Sequence, residues 1–199
     1  RFLGIFSNNM DEFFRVRVAT LRRMIELGGK KANMHLEENP QQILDQIQTT
    51  VLQQQSEFSR IWQGILQELK NQKIYLVDEK HLTKEQKTFV KKFFDEEVRS
   101  NIIPLMIESL QQLPYLREKS IYLGVVMHKK DSAYDRKYSL IEVPSRIVGR
   151  FVQLPGNKEE HSIILLEDVI RFNLPYIFSY FGYDHFSSHV CKVTKDAEL

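Results

Sequence analysis

Cysteine is nearly missing from this chain. Cys191 stands alone, which excludes an intrachain disulfide and fits a reducing compartment. Long apolar runs are missing too. None approaches the roughly 18 residues of a membrane span, and no apolar stretch has the character of a secretory signal. There are no internal repeats, low-complexity tracts or glycine-rich phosphate loops; Gly4 and Gly149 are isolated. The six histidines are scattered, and none is spaced from a Cys, Asp or Glu as metal ligands are. Excess charge is lacking: a net +2 gives no global polyanion signal and argues against a nucleic-acid-binding domain. The chain opens on Arg1 and ends on Asp196-Ala-Glu-Leu199 without a stop signal. We read it as a piece of a longer protein.

What is present is an ordinary globular composition, 42% hydrophobic and 27% charged. The length fits one or two domains. Charge is uneven along it. Residues 1–31 carry seven Lys/Arg against Asp11, Glu12 and Glu26. Residues 32–71 carry Arg60 and Lys70 against Glu37, Glu38, Asp45, Glu57 and Glu68. A basic first helix beside an acidic second one suits a helical hairpin.

The spacing of Met10, Phe13, Phe14, Val18, Leu21, Met24 and Ile25 predicts a helix over 10–28. Ser7 or Asn8 would cap it, Asp11 and Glu12 would sit at the positive end of its dipole, and Gly28-Gly29 would end it. Residues 1–6 read as the continuation of an upstream helix. Asn39-Pro40 opens a second helix over 40–71, whose apolar stripe runs from Ile43 through Phe58, Ile61 and Ile65 to Leu69. That stripe is longer than the first helix can cover, so part of it needs another surface.

After Asn71 the pattern changes. Strands are expected over 73–77, 121–128, 138–143, 151–154, 163–166 and 189–194. Thr83-Lys-Glu-Gln86 is a capping box, followed by a helix burying Phe89, Val90, Phe93, Phe94 and Val98. Residues 129–137 read as a polar loop. A helix over 167–178 should bend at Pro175. The fold class is therefore α+β: an antiparallel helical domain over 1–71, then a mixed α+β domain over 72–199, incomplete at its C-terminal end. The boundary falls within 71–101.

Four motifs sharpen this reading. Ser7-Asn-Asn-Met-Asp-Glu-Phe-Phe-Arg-Val-Arg-Val-Ala19 is the most specific. Arg150-Phe-Val-Gln-Leu-Pro155, Leu165-Leu-Glu-Asp-Val-Ile170 and Val193-Thr-Lys-Asp-Ala-Glu-Leu199 follow in order. Together they resemble the N-terminal and head domains of the long-chain polyphosphate kinases across the whole chain. Many members carry Pro-Phe-Pro where this chain has Leu113-Pro114-Tyr115-Leu116.

The resemblance implies reversible transfer of the ATP γ-phosphate to polyphosphate through a phosphohistidine, with Mg²⁺. The carrier histidine and the Mg²⁺ site would lie in domains outside this chain, so no catalytic residue is expected here. It implies ATP or ADP as substrate, a homodimer or higher homo-oligomer, a cytoplasmic setting with at most peripheral membrane association, and no nucleic acid. Asn9 would contact the adenine base, since an amide both donates and accepts, while Asn8 caps the helix. Phe2 and Phe6 are candidates to stack on the base; otherwise they are core. Arg15 and Arg22, seven residues apart on one helical face with Arg17 and Arg23 nearby, are candidate phosphate contacts because the guanidinium fork binds two oxygens at once. The alternative for them is a solvated or salt-bridged face. A non-enzymatic helical interaction module is the rival reading of the chain.

Overall fold

The computed structural model describes residues 1–26, 39–109, 115–157 and 159–195. Two units emerge: Arg1–Gln67 together with the chain end from Thr194, and Glu68–Val193. The expected stop at Gly28-Gly29 and the Leu113-Pro114 turn lie outside the described residues.

In the first unit, α1 (Phe2–Phe13) runs through a π-turn (Phe14–Val18) directly into α2 (Ala19–Glu26). The helix therefore starts eight residues before the expected Met10. Phe2, Leu3, Ile5 and Phe6 already carry helical apolar spacing, and Ile5 N–H donates to the Arg1 carbonyl at 3.1 Å. Residues 1–6 thus belong to this same helix. Arg1 is the N-cap and makes no side-chain cap bond. Neither Ser7 nor Asn8 caps anything: both lie in mid-helix, and Asp11 and Glu12 are more than two turns from the positive end. A continuing hydrogen-bond ladder overrides the capping preference of Ser and Asn.

The second helix, α3 (Pro40–Asn71), matches its expectation at both ends. Asn39 Oδ1 accepts from Gln41 N–H at 2.9 Å, and Pro40 needs no hydrogen-bond partner at the first helical position. The helix ends in two turn residues, and Lys73 takes the left-handed conformation at φ 58°. That is why the next strand starts at Ile74 and not at Lys73. The Lys73 carbonyl accepts from His161 N–H at 2.9 Å, and its ammonium meets Glu159 at 3.0 Å.

The second unit holds two sheets. β1 (Ile74–Val77) pairs parallel with β6 (His161–Leu165), which pairs antiparallel with β5 (Phe151–Gln153). The other sheet is antiparallel in the order β2-β4-β3-β7, from Leu105–Met106, Ser132–Glu142, Ile121–Lys129 and His185–Lys192. Two strands begin earlier than their apolar cores suggest. β4 pairs back to Ser132 opposite Lys129, so most of the expected 129–137 loop is strand. β7 starts at His185 because its first half lines up with Val125–His128 across the sheet. Cross-strand pairing supplies order that polar residues do not advertise.

Helix α4 (Lys84–Phe93) has both bonds of its capping box, Thr83 with Gln86. It continues through a second π-turn (Phe94–Val98) and a short 3₁₀ segment (Arg99–Asn101). Val90, Phe94 and Val98, four residues apart, are buried, while Phe89 and Phe93 pack on the margin with rings stacked at 5.9 Å. α5 (Leu166–Phe172) and α6 (Leu174–Ile177) break at Asn173, two residues before the expected Pro175. They add Val169, Ile170 and Leu174 to the core, against Leu123, Val125, Met127 and Ile141 of the sheet. Two of the motifs meet here. Arg150 donates to both oxygens of buried Glu167, at 2.6 and 3.2 Å from Oε1 and 3.3 Å from Oε2, and Leu166 N–H donates to the Arg150 carbonyl at 2.8 Å.

Candidate functional site

The first unit positions every sequence-derived candidate on one helix, but in three places. On a helix, residues 2, 6 and 9 recur at intervals of four and three, so Phe2, Phe6 and Asn9 share a face. Phe2 is 85% exposed. Phe6 tilts against Phe58 of α3 at 6.0 Å between ring centroids. The two rings open an apolar groove of about 720 Å³ whose far wall is Phe58, Ile61, Trp62 and Ile65. Asn9 is exposed just beyond it and does not line it. Because the helix begins at Phe2, its amide is not used in capping.

Arg15 and Arg22 meet in a different hollow, of about 300 Å³, together with Arg23, Glu26, Thr194 and Lys195. The π-turn builds it. A π-turn places one extra residue in the helix, and Phe14, Arg15 and Val18, all within the turn, form one side. Val18 is buried at 4% and anchors the turn, while Thr20 Oγ1 donates to the Val16 carbonyl at 2.8 Å. The sequence reading had Arg15, Arg22 and Arg23 in view but not Thr194 and Lys195. Their only local signal was the Val193-Thr-Lys motif.

Two histidines lie against a carboxylate: His81 Nδ1 is 2.6 Å from Asp78 and His185 Nδ1 is 2.7 Å from Asp184. Both carboxyls lie below the usual range: for Asp184 the His185 hydrogen bond dominates, and for Asp78 burial pushes up while the His81 ring and the Lys80 and His81 backbone N–H groups together pull further down. His185 also stacks on His128 at 5.0 Å. Among the described residues no three His, Cys, Asp or Glu side chains converge to hold a metal ion.

The second unit has its own buried charge cluster. Arg171 donates to Asp168 and, at 3.3 Å, to Glu79, and its Nε donates to Ser188 at 2.8 Å. Burial pushes the Asp168 carboxyl up to about 6; Arg171 pulls it down, and Glu79, Glu167 and Asp78 push it up further. The cluster ties the β1–α4 loop, α5 and β7 together.

With this geometry in place, comparison with known proteins decides the family. Residues 85–199 match the model of the polyphosphate kinase middle domain and residues 1–77 that of the polyphosphate kinase N-terminal domain. The chain belongs to the polyphosphate kinase family. It is 36% identical over 206 residues to a polyphosphate kinase of Vibrio cholerae and 35% identical to that of Escherichia coli K12, in each case over 100% of this chain. The chain spans 28% of the length of these curated relatives. The crystal structure of polyphosphate kinase from Porphyromonas gingivalis superposes with a TM-score of 0.83 at 29% identity, covering 100% of this chain and 28% of that one. The α+β class follows from that likeness as well as from the elements above. A non-enzymatic interaction module is not favoured for a member of the polyphosphate kinases, and among the described residues no helix is long and apolar enough to cross a membrane.

Proposed function

We propose that this chain is the nucleotide-base-holding and assembly-forming part of an enzyme that reversibly transfers the γ-phosphate of ATP to polyphosphate. One observation carries the base assignment: Asn9 sits on the same helical face as Phe2 and Phe6, exposed and unused as a cap, beside an apolar groove. In this reading the Asn9 amide meets the edge of adenine, donating and accepting at once. Phe2 and Phe6 offer ring faces, and Arg15 meets phosphate oxygens as far down the helix as a triphosphate extends. Arg22 is the further phosphate contact. The phosphoryl carrier and Mg²⁺ belong to parts of the protein beyond this chain.

The finer attributes are also part of the proposal. The functional division falls at Asn71, between a base-holding helical domain over 1–71 and an α+β domain over 72–199. The enzyme works as a homodimer or higher homo-oligomer in the cytoplasm, with ATP and polyphosphate as partners and no nucleic acid. Any membrane association is peripheral. Support comes from the family, the near-neutral charge and the single cysteine.

Asn9→Ala in the full-length enzyme tests the base site. A base contact lies away from the transferring phosphate, so it acts on binding and transition state alike. One hydrogen-bonding amide contributes about 0.5–1.5 kcal/mol, so the ATP KM should rise roughly 2- to 12-fold with kcat little changed. An unchanged KM would refute the assignment.

A further inference from the structure

We propose that His128 and His185, opposed across two strands, bind one divalent transition-metal ion of the class of Zn²⁺, Cu²⁺ or Ni²⁺. Both belong to the unit spanning Glu68–Val193, and neither takes part in the proposed base site. They come from distant parts of the chain. The antiparallel pairing of β3 with β7 brings them together, with His128 the direct partner of His185. Directly opposed residues hold their Cβ atoms about 4.5–5.5 Å apart, so both imidazoles leave one face of the sheet from neighbouring points. Their ring centroids lie 5.0 Å apart, with the planes 29° from parallel. Two nitrogens ligating one ion at about 2.0–2.1 Å stand roughly 3.3 Å from each other at the tetrahedral angle. Two rings at the surface reach that spacing by leaning toward each other, and the His185 side chain is 49% exposed, so an ion enters from solvent.

The backbone under the pair is already fixed by Asp184. Lys130 N–H donates to Asp184 Oδ1 at 2.8 Å, and Asp184 N–H donates to the His128 carbonyl at 3.4 Å. The end of β3 is thereby tied to the start of β7. The same Asp184 oxygen lies 2.7 Å from His185 Nδ1. An ionised carboxylate only accepts hydrogen bonds, so Nδ1 is the protonated nitrogen of the neutral ring and Nε2 carries the lone pair. A carboxylate placed behind a histidine in this way sets the tautomer, holds the ring and raises its basicity toward a metal. Imidazole nitrogen suits Zn²⁺, Cu²⁺ and Ni²⁺, whereas Mg²⁺ and Ca²⁺ take oxygen ligands. The site is therefore distinct from any Mg²⁺ that serves phosphoryl transfer. Two histidines leave the other coordination positions to water. His189 is on the same strand but four residues along it, about 13 Å from His185, too far to join. His81 offers a contrast: it has a carboxylate, Asp78, at 2.6 Å but sits in a loop without a cross-strand partner.

The test titrates the full-length enzyme, free of any affinity tag, with Zn²⁺ by calorimetry and with Cu²⁺ by electron paramagnetic resonance. The variants are His128→Gln, His185→Gln, Asp184→Asn and His81→Gln. Either of the first two should lose one bound equivalent or weaken it at least tenfold. The Cu²⁺ spectrum should show two ligating nitrogens at this site in the wild type and one in either variant. Asp184→Asn should weaken binding about 10- to 100-fold, the usual cost of removing the group behind a ligating histidine. His81→Gln should bind as the wild type does, and excess Mg²⁺ should not displace Zn²⁺. Added Zn²⁺ should raise the melting temperature of the wild type more than that of His128→Gln or His185→Gln, since the folded state alone presents the pair. Unchanged stoichiometry and affinity in both histidine variants would overturn the proposal. Loss in only one of them would overturn it as well, leaving a contact to a single imidazole. A loss in His81→Gln equal to that in His185→Gln would overturn it in favour of unselective binding to surface histidines.

Discussion

The unit spanning Glu68–Val193 has large apolar side chains at its surface but also gathers a fully buried core, while the unit built on Arg1–Gln67 buries little and leaves many of its own facing outward. Of the fully buried aliphatic and aromatic residues, Phe94, Phe178, Leu123, Met127, Ile141, Ile164 and Ile170 all belong to the former. The helical unit buries Val18, yet leaves Phe2, Ile5, Leu52, Ile61, Trp62 and Ile65 each at least 39% exposed. Both units carry apolar stripes at helical spacing, as in Val90, Phe94 and Val98 and in Phe58, Ile61 and Ile65, so periodicity alone does not separate them. The difference is the number of layers. A helix laid on a sheet covers its stripe on the spot, whereas two antiparallel helices leave the outer part of each stripe bare. A bare apolar stripe flanked by amides and cations suits binding more than self-support.

The comparison can be broken most forcefully at the core. Phe94→Ala should destabilise the protein by about 3–5 kcal/mol, whereas Phe6→Ala, tilted on one neighbour beside an open groove, should cost about 1 kcal/mol or less. Equal losses in chemical denaturation would mean that the helical unit has a core of its own. Next is Arg150→Ala, which strands the Glu167 carboxylate at 3% side-chain exposure. Because Arg150 itself is 40% exposed, the loss should be nearer 2–3 kcal/mol, below that of a fully buried pair (about 3–5 kcal/mol). Arg150→Lys should recover only part, since one ammonium cannot match the fork.

A pH scan gives a smaller and more selective probe. The Asp168 carboxyl titrates near 6 in the folded protein, above its ordinary 3.8. The folded state thus holds this proton more tightly than the unfolded chain does. Its contribution to stability is fully present below about pH 4 and is lost as pH rises through 6. Asp168→Asn should flatten that part of the stability–pH curve, while variants of the helical unit should not alter it. A curve unchanged by Asp168→Asn would show that Arg171 keeps the carboxylate ionised. The smallest expected effect is at Lys73, whose φ of 58° costs a residue with a Cβ about 1 kcal/mol. Lys73→Gly should be neutral or stabilising by up to about 1 kcal/mol in a melting curve.

Local signals were readable where the chemistry is local. Asn39-Pro40 and Thr83–Gln86 announced their helices because a cap is a contact within four residues. The α+β class was legible from the change of period after Asn71. The start of α1 was misplaced because Ser7 and Asn8 resemble caps, and only the unbroken ladder from Arg1 reveals otherwise. β4 and β7 were shortened because their first residues are polar and gain order only from partners far along the chain. The basic hollow was half visible: the arginines repeat along one helix, but Lys195 joins them from more than 170 positions away. The Arg150–Glu167 pair was hidden inside two motifs that sequence treats as separate.

The π-turn at Phe14–Val18 has a bearing on how relatives of this chain should be aligned. Such a turn is a one-residue insertion that the helix absorbs without looping out. Removing one residue there would restore plain α-geometry and leave the two flanks facing much as they do, because the wide turn takes up the roughly 100° step of the extra residue. The groove residues Phe2 and Phe6 and the basic residues Arg22 and Arg23 would keep their directions. A gap of one between positions 13 and 19 is thus a local change of girth, and two relatives of different length there can still present the same faces.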